Sequence, residues 1–298
     1  MTPAAEQCTA SGLMRETSDQ ILRAITQDSA FRVVVVSSAE TVHGIIRAQR
    51  AKEQLAQTLG DLVTATILVR ETMAPQHRVQ GILRGGHHSG ALIADSHPSG
   101  QVRGLVQLAP GLSTIDTGQG ATLQMMRTLA NGALHQGVAE APAGGGLSEA
   151  LMAYMQTSEQ VTSVASVATC WAEPDRVVAG GFVVQLLPDA SQEALRAMIE
   201  RLDRFGSLPS QLVRSEFGAA FLLDKLLHGV AFSQVGVDSV RYQCWCDEIR
   251  MMSALASLKR DELVELAATS EPLEITCDYC GREYCFQPTG LQGLLEQS

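Results

Sequence analysis

Aromatic side chains make up 4% of this 298-residue chain. A core with so few rings must be filled by aliphatic residues. The overall hydrophobic fraction of 45% is that of an ordinary globular protein and excludes wholesale disorder. Positive charge is short as well. Lys and Arg number 22 against 32 Asp and Glu, a formal balance of −10, so no nucleic-acid or acidic-membrane partner is expected. Long apolar runs are missing: the aliphatic stretches at 33–36 and 62–69 fall far below the ~20 residues of a membrane span. Residues 1–20 lack a basic stretch followed by an apolar one, so no secretory leader is expected and the chain reads as soluble and cytoplasmic. Gly118-Gln119-Gly120 is too short to cradle a phosphate and no Walker lysine follows it. There is no Gly-x-Ser-x-Gly elbow and no Cys/His nucleophile arrangement, so an enzyme is not expected.

Cysteine, in contrast, is concentrated. Of seven, four stand in two tight pairs, Cys244-Trp245-Cys246 and Cys277-Asp278-Tyr279-Cys280, with 30 residues between the pairs. Two sulfurs from each of two turns are what one tetrahedral ion needs, and zinc prefers four such ligands at about 2.3 Å with no vacancy in a structural site. Gly281 after the second pair suits a knuckle. Two cysteines two apart can also close a small strained disulfide that is easily made and unmade. The pattern therefore predicts one zinc per chain, held by Cys244, Cys246, Cys277 and Cys280 and lost on oxidation. A four-cysteine module that never changes state is the plainer alternative. Structural disulfides are disfavoured because cytosolic thiols stay reduced. The region from Cys244 to Ser298 carries ten acidic residues against four basic ones, the wrong sign for a nucleic-acid-binding ribbon.

The remaining candidates are weaker. Cys8 is expected to have no role, Cys170 to be a buried apolar thiol, and Cys285 to pack in a small core. His87-His88 in a Gly-rich turn has no acidic neighbour in sequence and reads as a solvated loop.

Along the chain, residues 20–190 read as one mixed α/β unit. A β-branched run at 31–36 predicts a buried strand, and 51–69 a helix with Leu55, Leu59, Leu62 and Thr66 on one face. Segments 77–83, 91–95 and 101–108 predict an antiparallel meander, followed by a weakly patterned region at 118–135. A helix is expected at 147–160 with Ser148 as its N-cap, then strands at 164–171 and 177–187, with Gly180-Gly181 as a bulge or close approach. The period then changes to 3.6, predicting amphipathic helices at 191–205 and 211–227. Two short helices, a hairpin around the second cysteine pair and a last helix capped by Thr289 complete the chain. The fold class is thus α+β: an α/β core with antiparallel sheet (1–190), a helical linker (191–243) and a small zinc module (244–298). So short a module should depend on its metal.

Taken together, several of these features resemble a known family. The C-x-C pair, the helical spacer, the C-x-x-C knuckle and the ending Tyr284-Cys285-Phe286 are similar to those of the redox-regulated thirty-three-kilodalton heat-shock chaperones of bacteria. Val102-Arg103-Gly104 resembles that family's Arg-Gly strand, and Tyr154-Met155-Gln156-Thr157-Ser158-Glu159-Gln160 its Tyr-x-x-x-Ser-Glu-Gln helix end. Gly180-Gly181-Phe182-Val183-Val184-Gln185-Leu186-Leu187-Pro188 resembles its Gly-Gly strand. The resemblance implies an ATP-independent holdase that is zinc-bound and inactive when reduced. It further implies oxidation to Cys244–Cys246 and Cys277–Cys280 disulfides, zinc release, linker destabilisation, binding of unfolding client proteins and dimerisation of the active form. Two other classes stay open on the residues alone: a thiol–disulfide oxidoreductase using Cys277 and Cys280, and a constitutive zinc-stabilised interaction protein.

Overall fold

A computed structural model describes residues 19–297 except 130, 143, 144, 215 and 270; Cys8 lies outside the described residues. Its centre is one helix between two sheets. The first sheet contains β1 (Gln20–Thr26), β2 (Phe31–Ser37), β8 (Ser163–Glu173), β9 (Arg176–Leu186) and β10 (Phe232–Ser239), in the order β10-β1-β2-β9-β8. The second contains β3 (Arg78–Arg84), β4 (Gly90–Ser96), β5 (Gln101–Leu108), β6 (Thr122–Thr128), β7 (Leu134–Glu140) and β11 (Arg241–Tyr242), in the order β11-β5-β4-β3-β6-β7. All pairings are antiparallel except β11 on β5. Helix α1 (Ala39–Gln49) leads into α2 (Glu53–Thr72), which touches strands of both sheets; α3 (Leu147–Thr157) packs beside it.

A helix forms where 51–69 predicts one, with Leu55, Leu59, Leu62 and Thr66 all buried, and its burial extends beyond that face. From Leu62 to Glu71 every residue of α2 is buried, because a helix between two sheets has no solvent face. Its threonines are hydrogen-bonded internally: Thr66 Oγ1 donates to the Leu62 carbonyl at 2.7 Å, and Thr64 shares a 2.9 Å bond with Ser38. The continuous run in β2 has a matching cause. Val34 and Val36 face the cluster around α2, whereas Val33 and Val35 face a second cluster on the far side of the sheet. A strand buried on both faces shows no alternation.

That second cluster is where the expected linker helices go. Helices α4 (Gln192–Phe205), α5 (Leu208–Leu212) and α6 (Ala219–Leu227) lay Met198, Leu208, Leu212, Leu222, Leu223 and Leu226 over the outer face of the first sheet. Gly180 allows the approach, since a Cβ there would lie 2.8 Å from the Phe217 ring and 3.3 Å from Leu212 Cδ2. The register through Gly180-Gly181 is continuous, so the pair marks close packing and not a bulge.

Other expectations change. The interval 191–243 is helical only to Leu227: the rest forms β10, an edge strand on β1, and β11, an edge strand on β5. Edge strands are bonded on one side and largely exposed, which leaves little hydrophobic signal to read. The single helix expected at 211–227 is broken into α5 and α6, with Gly218 at the N-cap of the second. Residues 118–135, weakly patterned in sequence, contribute to the β6–β7 hairpin, whose outer strand is mostly exposed. Ser148 does not cap α3; its hydroxyl accepts from the Val167 amide at 3.0 Å, and Gly146 is the N-cap. Helix α1 has no counterpart among the expected elements.

The C-terminal module contains α7 (Glu248–Ala256), α8 (Arg260–Ala267), the hairpin β12 (Leu273–Thr276) and β13 (Glu283–Phe286), and α9 (Pro288–Gln297). Thr289 lies inside α9 rather than at its cap. The module's core is a small cluster around Leu255, Ala267, Phe286 and Leu291. Among the described residues no helix is long and apolar enough to cross a membrane.

Candidate metal centre

The first cysteine pair follows β11 directly. The Gln243 amide donates to the Val102 carbonyl at 3.0 Å, which fixes where Cys244 leaves the sheet. Cys246 ends just before Asp247, whose carboxylate caps α7 by accepting from the Arg250 amide at 2.8 Å. The second pair sits in the turn joining β12 to β13. There the Cys277 carbonyl accepts from the amides of Cys280 (3.2 Å) and Gly281 (2.8 Å), and the Cys277 amide donates to Arg282 at 2.8 Å. Gly281 has φ of +71°, a left-handed conformation that glycine adopts without strain. The backbone amides of Tyr279 and Cys280 face the Cys277 sulfur, and that of Arg282 faces Cys280.

These turns bring all four sulfurs within 4.8 Å of one another. Cys244 and Cys277 approach to 3.9 Å, and Cys246 and Cys280 to 3.4 Å. A tetrahedron with metal–sulfur bonds of about 2.3 Å has sulfur–sulfur edges of about 3.8 Å. The cluster therefore fits one tetrahedral ion, and an all-thiol donor set favours zinc. Among the described residues every cysteine is a thiol.

The electrostatics agree with a site made for a cation. Burial raises the Cys246 thiol, but the polar groups beside it, the Tyr284 hydroxyl and the neighbouring thiols, outweigh that and bring it down to about 7. Burial pushes Cys280 up to about 12, and Cys277 also upward, with the nearby sulfurs adding to the effect. One thiolate is readily accommodated; further ones repel it unless a cation is present.

Around the sulfurs lies a set of residues outside the expected ligand set. Arg103 on β5 points its guanidinium at the cluster, with Nη1 3.7 Å from Cys244 Sγ. The same guanidinium lies 4.0 Å from the centre of the Trp245 ring and 3.8 Å from that of Tyr279. Its other contacts are to Asp95, which is fully buried and opposite Arg103 in the β4–β5 register. Asp95 also accepts from Arg78 Nε at 2.7 Å. At the end of α1, Gln49 donates to the carbonyls of Asp278 (2.9 Å) and Tyr279 (3.0 Å) while accepting from the Val106 amide at 2.9 Å. An arginine next to a glycine, between the apolar Val102 and Leu105 of β5, is the available sequence signal.

The other candidates stay apart from the centre. Cys170 is half-buried on β8, and burial raises its thiol. Cys285 is exposed on β13, contrary to the expected core position, because its neighbours Tyr284 and Phe286 take the inward places on so short a strand. His87 meets Asp116 at 2.8 Å, a partner 29 residues away that the sequence did not suggest, but no third ligand joins them among the described residues.

Comparison with known proteins covers almost the whole chain. The family model described as Hsp33 protein matches residues 19–287. A "33 kDa chaperonin" of Streptococcus pneumoniae strain JJA is 29% identical over 287 residues, spanning 93% of this chain and 98% of that one. The protein of the same name from S. pneumoniae serotype 19F, strain G54, shows the same identity and spans. The crystal structure of the 33 kDa chaperonin of Thermotoga maritima superposes with a TM-score of 0.77 at 21% identity, over 94% of this chain and 98% of that one.

Proposed function

The chain belongs to the Hsp33 family, and from that premise we propose that it is a redox-regulated, ATP-independent holdase, not an enzyme, acting in the cytoplasm on unfolding client proteins. The observation that carries the reading is the convergence of Cys244, Cys246, Cys277 and Cys280 at tetrahedral spacing in a module with a very small core of its own. These four thiolates would hold one zinc, which when bound supplies a cross-link between the start of the module and its β12–β13 turn. With so little apolar burial beside it, the cross-link is a major part of what keeps the module folded.

The thiolates are also the sensor. A peroxide-class oxidant takes two electrons from each pair: one thiolate displaces hydroxide from the peroxide to give a sulfenic acid, and the second displaces hydroxide from that sulfur to close the disulfide. In this reading the bonds join Cys244 to Cys246 and Cys277 to Cys280. Sulfurs bonded to one another no longer serve as donors, so the module loses its cross-link. The division of the chain at 190 and 243 belongs to the same proposal, with the intervening segment loosening when the module unfolds. What it would uncover is the apolar outer face of the first sheet, beneath α4, α5 and α6. Client binding is then driven by apolar surface, and the active form is a dimer. The oxidoreductase alternative needs its C-x-x-C at a helix N-terminus, whereas Cys277 and Cys280 occupy a strand-to-strand turn.

Zinc content and client light scattering, measured on reduced, peroxide-treated and re-reduced protein, test the proposal together. The expected result is one zinc and no protection when reduced, zinc loss and near-stoichiometric protection after peroxide with mild heat, and reversal by thiol. Equal protection by reduced and oxidised protein would refute the switch.

A further inference from the structure

We propose that Arg103 is the clamp by which the core holds the two cysteine turns in register, so that cluster integrity and docking of the module on the core are a single property. The inference rests on the metal-centre reading above and adds a positioning residue outside the ligand set.

Each cysteine pair carries one aromatic ring between its sulfurs, Trp245 in the first and Tyr279 in the second. Both rings lie against the same guanidinium, at 4.0 and 3.8 Å. A planar cation suits that position, because it can stack on rings through its π faces while its edge donates hydrogen bonds. The edge donates to a sulfur, Cys244, and to a carboxylate, Asp95. Asp95 is immobile for its own reasons: it is fully buried, it is the cross-strand partner of Arg103, and it also pairs with Arg78. Arg103 thus carries the rigidity of the β4–β5 ladder to both turns. Gln49 adds a second hold on the Cys277–Cys280 turn through the carbonyls of residues 278 and 279. A purely structural ion pair would have been complete with Asp95 and Arg78; it would not need to touch an aromatic ring from each turn.

The mechanical consequence is that neither turn can rearrange alone. Any movement of Cys244 relative to Cys246 turns Trp245, and any movement of Cys277 relative to Cys280 turns Tyr279, and both rings are held by one side chain anchored in the core.

The test uses the full chain, reduced and zinc-loaded, with Trp171→Phe so that Trp245 reports alone. Arg103→Met removes the cation, Arg103→Lys keeps the charge but loses the plane, and Tyr279→Leu removes a ring from the module side while leaving the core untouched. Circular dichroism establishes that each variant is folded. All three are expected to bind one zinc but to release it to a chromogenic chelator about tenfold faster or more, with greater hydrogen exchange at residues 277–281 and a changed Trp245 emission. Release rates within twofold of the parent, or Arg103→Lys behaving as the parent does, would overturn the clamp. If the parent itself holds no zinc, the metal-centre reading fails. The clamp then still requires Arg103→Met and Tyr279→Leu to raise exchange at 277–281, and unchanged exchange overturns it.

Discussion

If the covered face of the first sheet is the client surface, loosening its cover should activate the protein without any oxidant. Leu212 on α5 and Leu222 on α6 are both fully buried in the second apolar cluster. Truncating a buried leucine to alanine costs about 2–5 kcal/mol, through lost burial and the cavity left behind. Taking about 3 kcal/mol for each site gives roughly 6 kcal/mol for Leu212→Ala with Leu222→Ala. About 5.5 kcal/mol is enough to carry a two-state equilibrium from 1:99 to 99:1. The penalty falls on the helices and not on the α2-centred cluster, because neither leucine belongs to it. The double variant should therefore keep its zinc and its central core while α4–α6 open. The assay is light scattering from a heat-denatured client, with reduced protein throughout, alongside hydrogen exchange across 192–227. Protection by the reduced variant at a ratio approaching that of oxidised parent is expected. Increased exchange in α4–α6 without client protection would refute the assignment of this face, and unchanged exchange would refute the energetic estimate.

Two further predictions concern the centre and the core. Serine replacement of Cys244, Cys246, Cys277 or Cys280 should each abolish stoichiometric zinc, while Cys285→Ser, on an exposed side chain, should retain it; metal analysis of the five variants decides the ligand set. Asp19 is raised to about 6 by burial, although it accepts from the amides of Glu40 and Thr41 at the start of α1. A carboxyl whose folded value exceeds its unfolded value stabilises fully below the unfolded value near 4, and that contribution is lost as pH rises through about 6. Urea unfolding should show the parent losing about 2–3 kcal/mol relative to Asp19→Asn between pH 4 and 7, and parallel profiles would contradict this.

The legible parts of the sequence were those whose environment imposes one pattern. The valine run of β2, the aliphatic α2 and the leucines of α6 announce burial, and the paired cysteines announce a common centre. Illegible parts had mixed surroundings. β10 presents Val235 and Val237 to solvent and is held by backbone pairing to β1, so its residues say little about the strand they form. Ser38 stands at the N-cap of α1 but its side chain makes no cap; the capping bonds come from Asp19, some 20 residues earlier in the chain, to which local sequence gives no access. The clamp was hidden for the same reason. Arg103, Asp95, Trp245 and Tyr279 stand in three separate stretches of the sequence with nothing to connect them, and only the fold makes them neighbours.

The pairing of β1 with β10 also sets an order in time. Gln20 lies opposite Ser239, so β1 leaves a ribosome long before β10, the strand that completes its pairing. At 5–20 residues per second, synthesis of the intervening chain takes roughly 10–45 s. Throughout that interval one edge of β1 lacks its β10 partner, and for most of it the leucines of α5 and α6 have not yet arrived to cover β2. A protein proposed to shield others from aggregation is thus, during its own birth, a chain with an open edge and an uncovered apolar sheet.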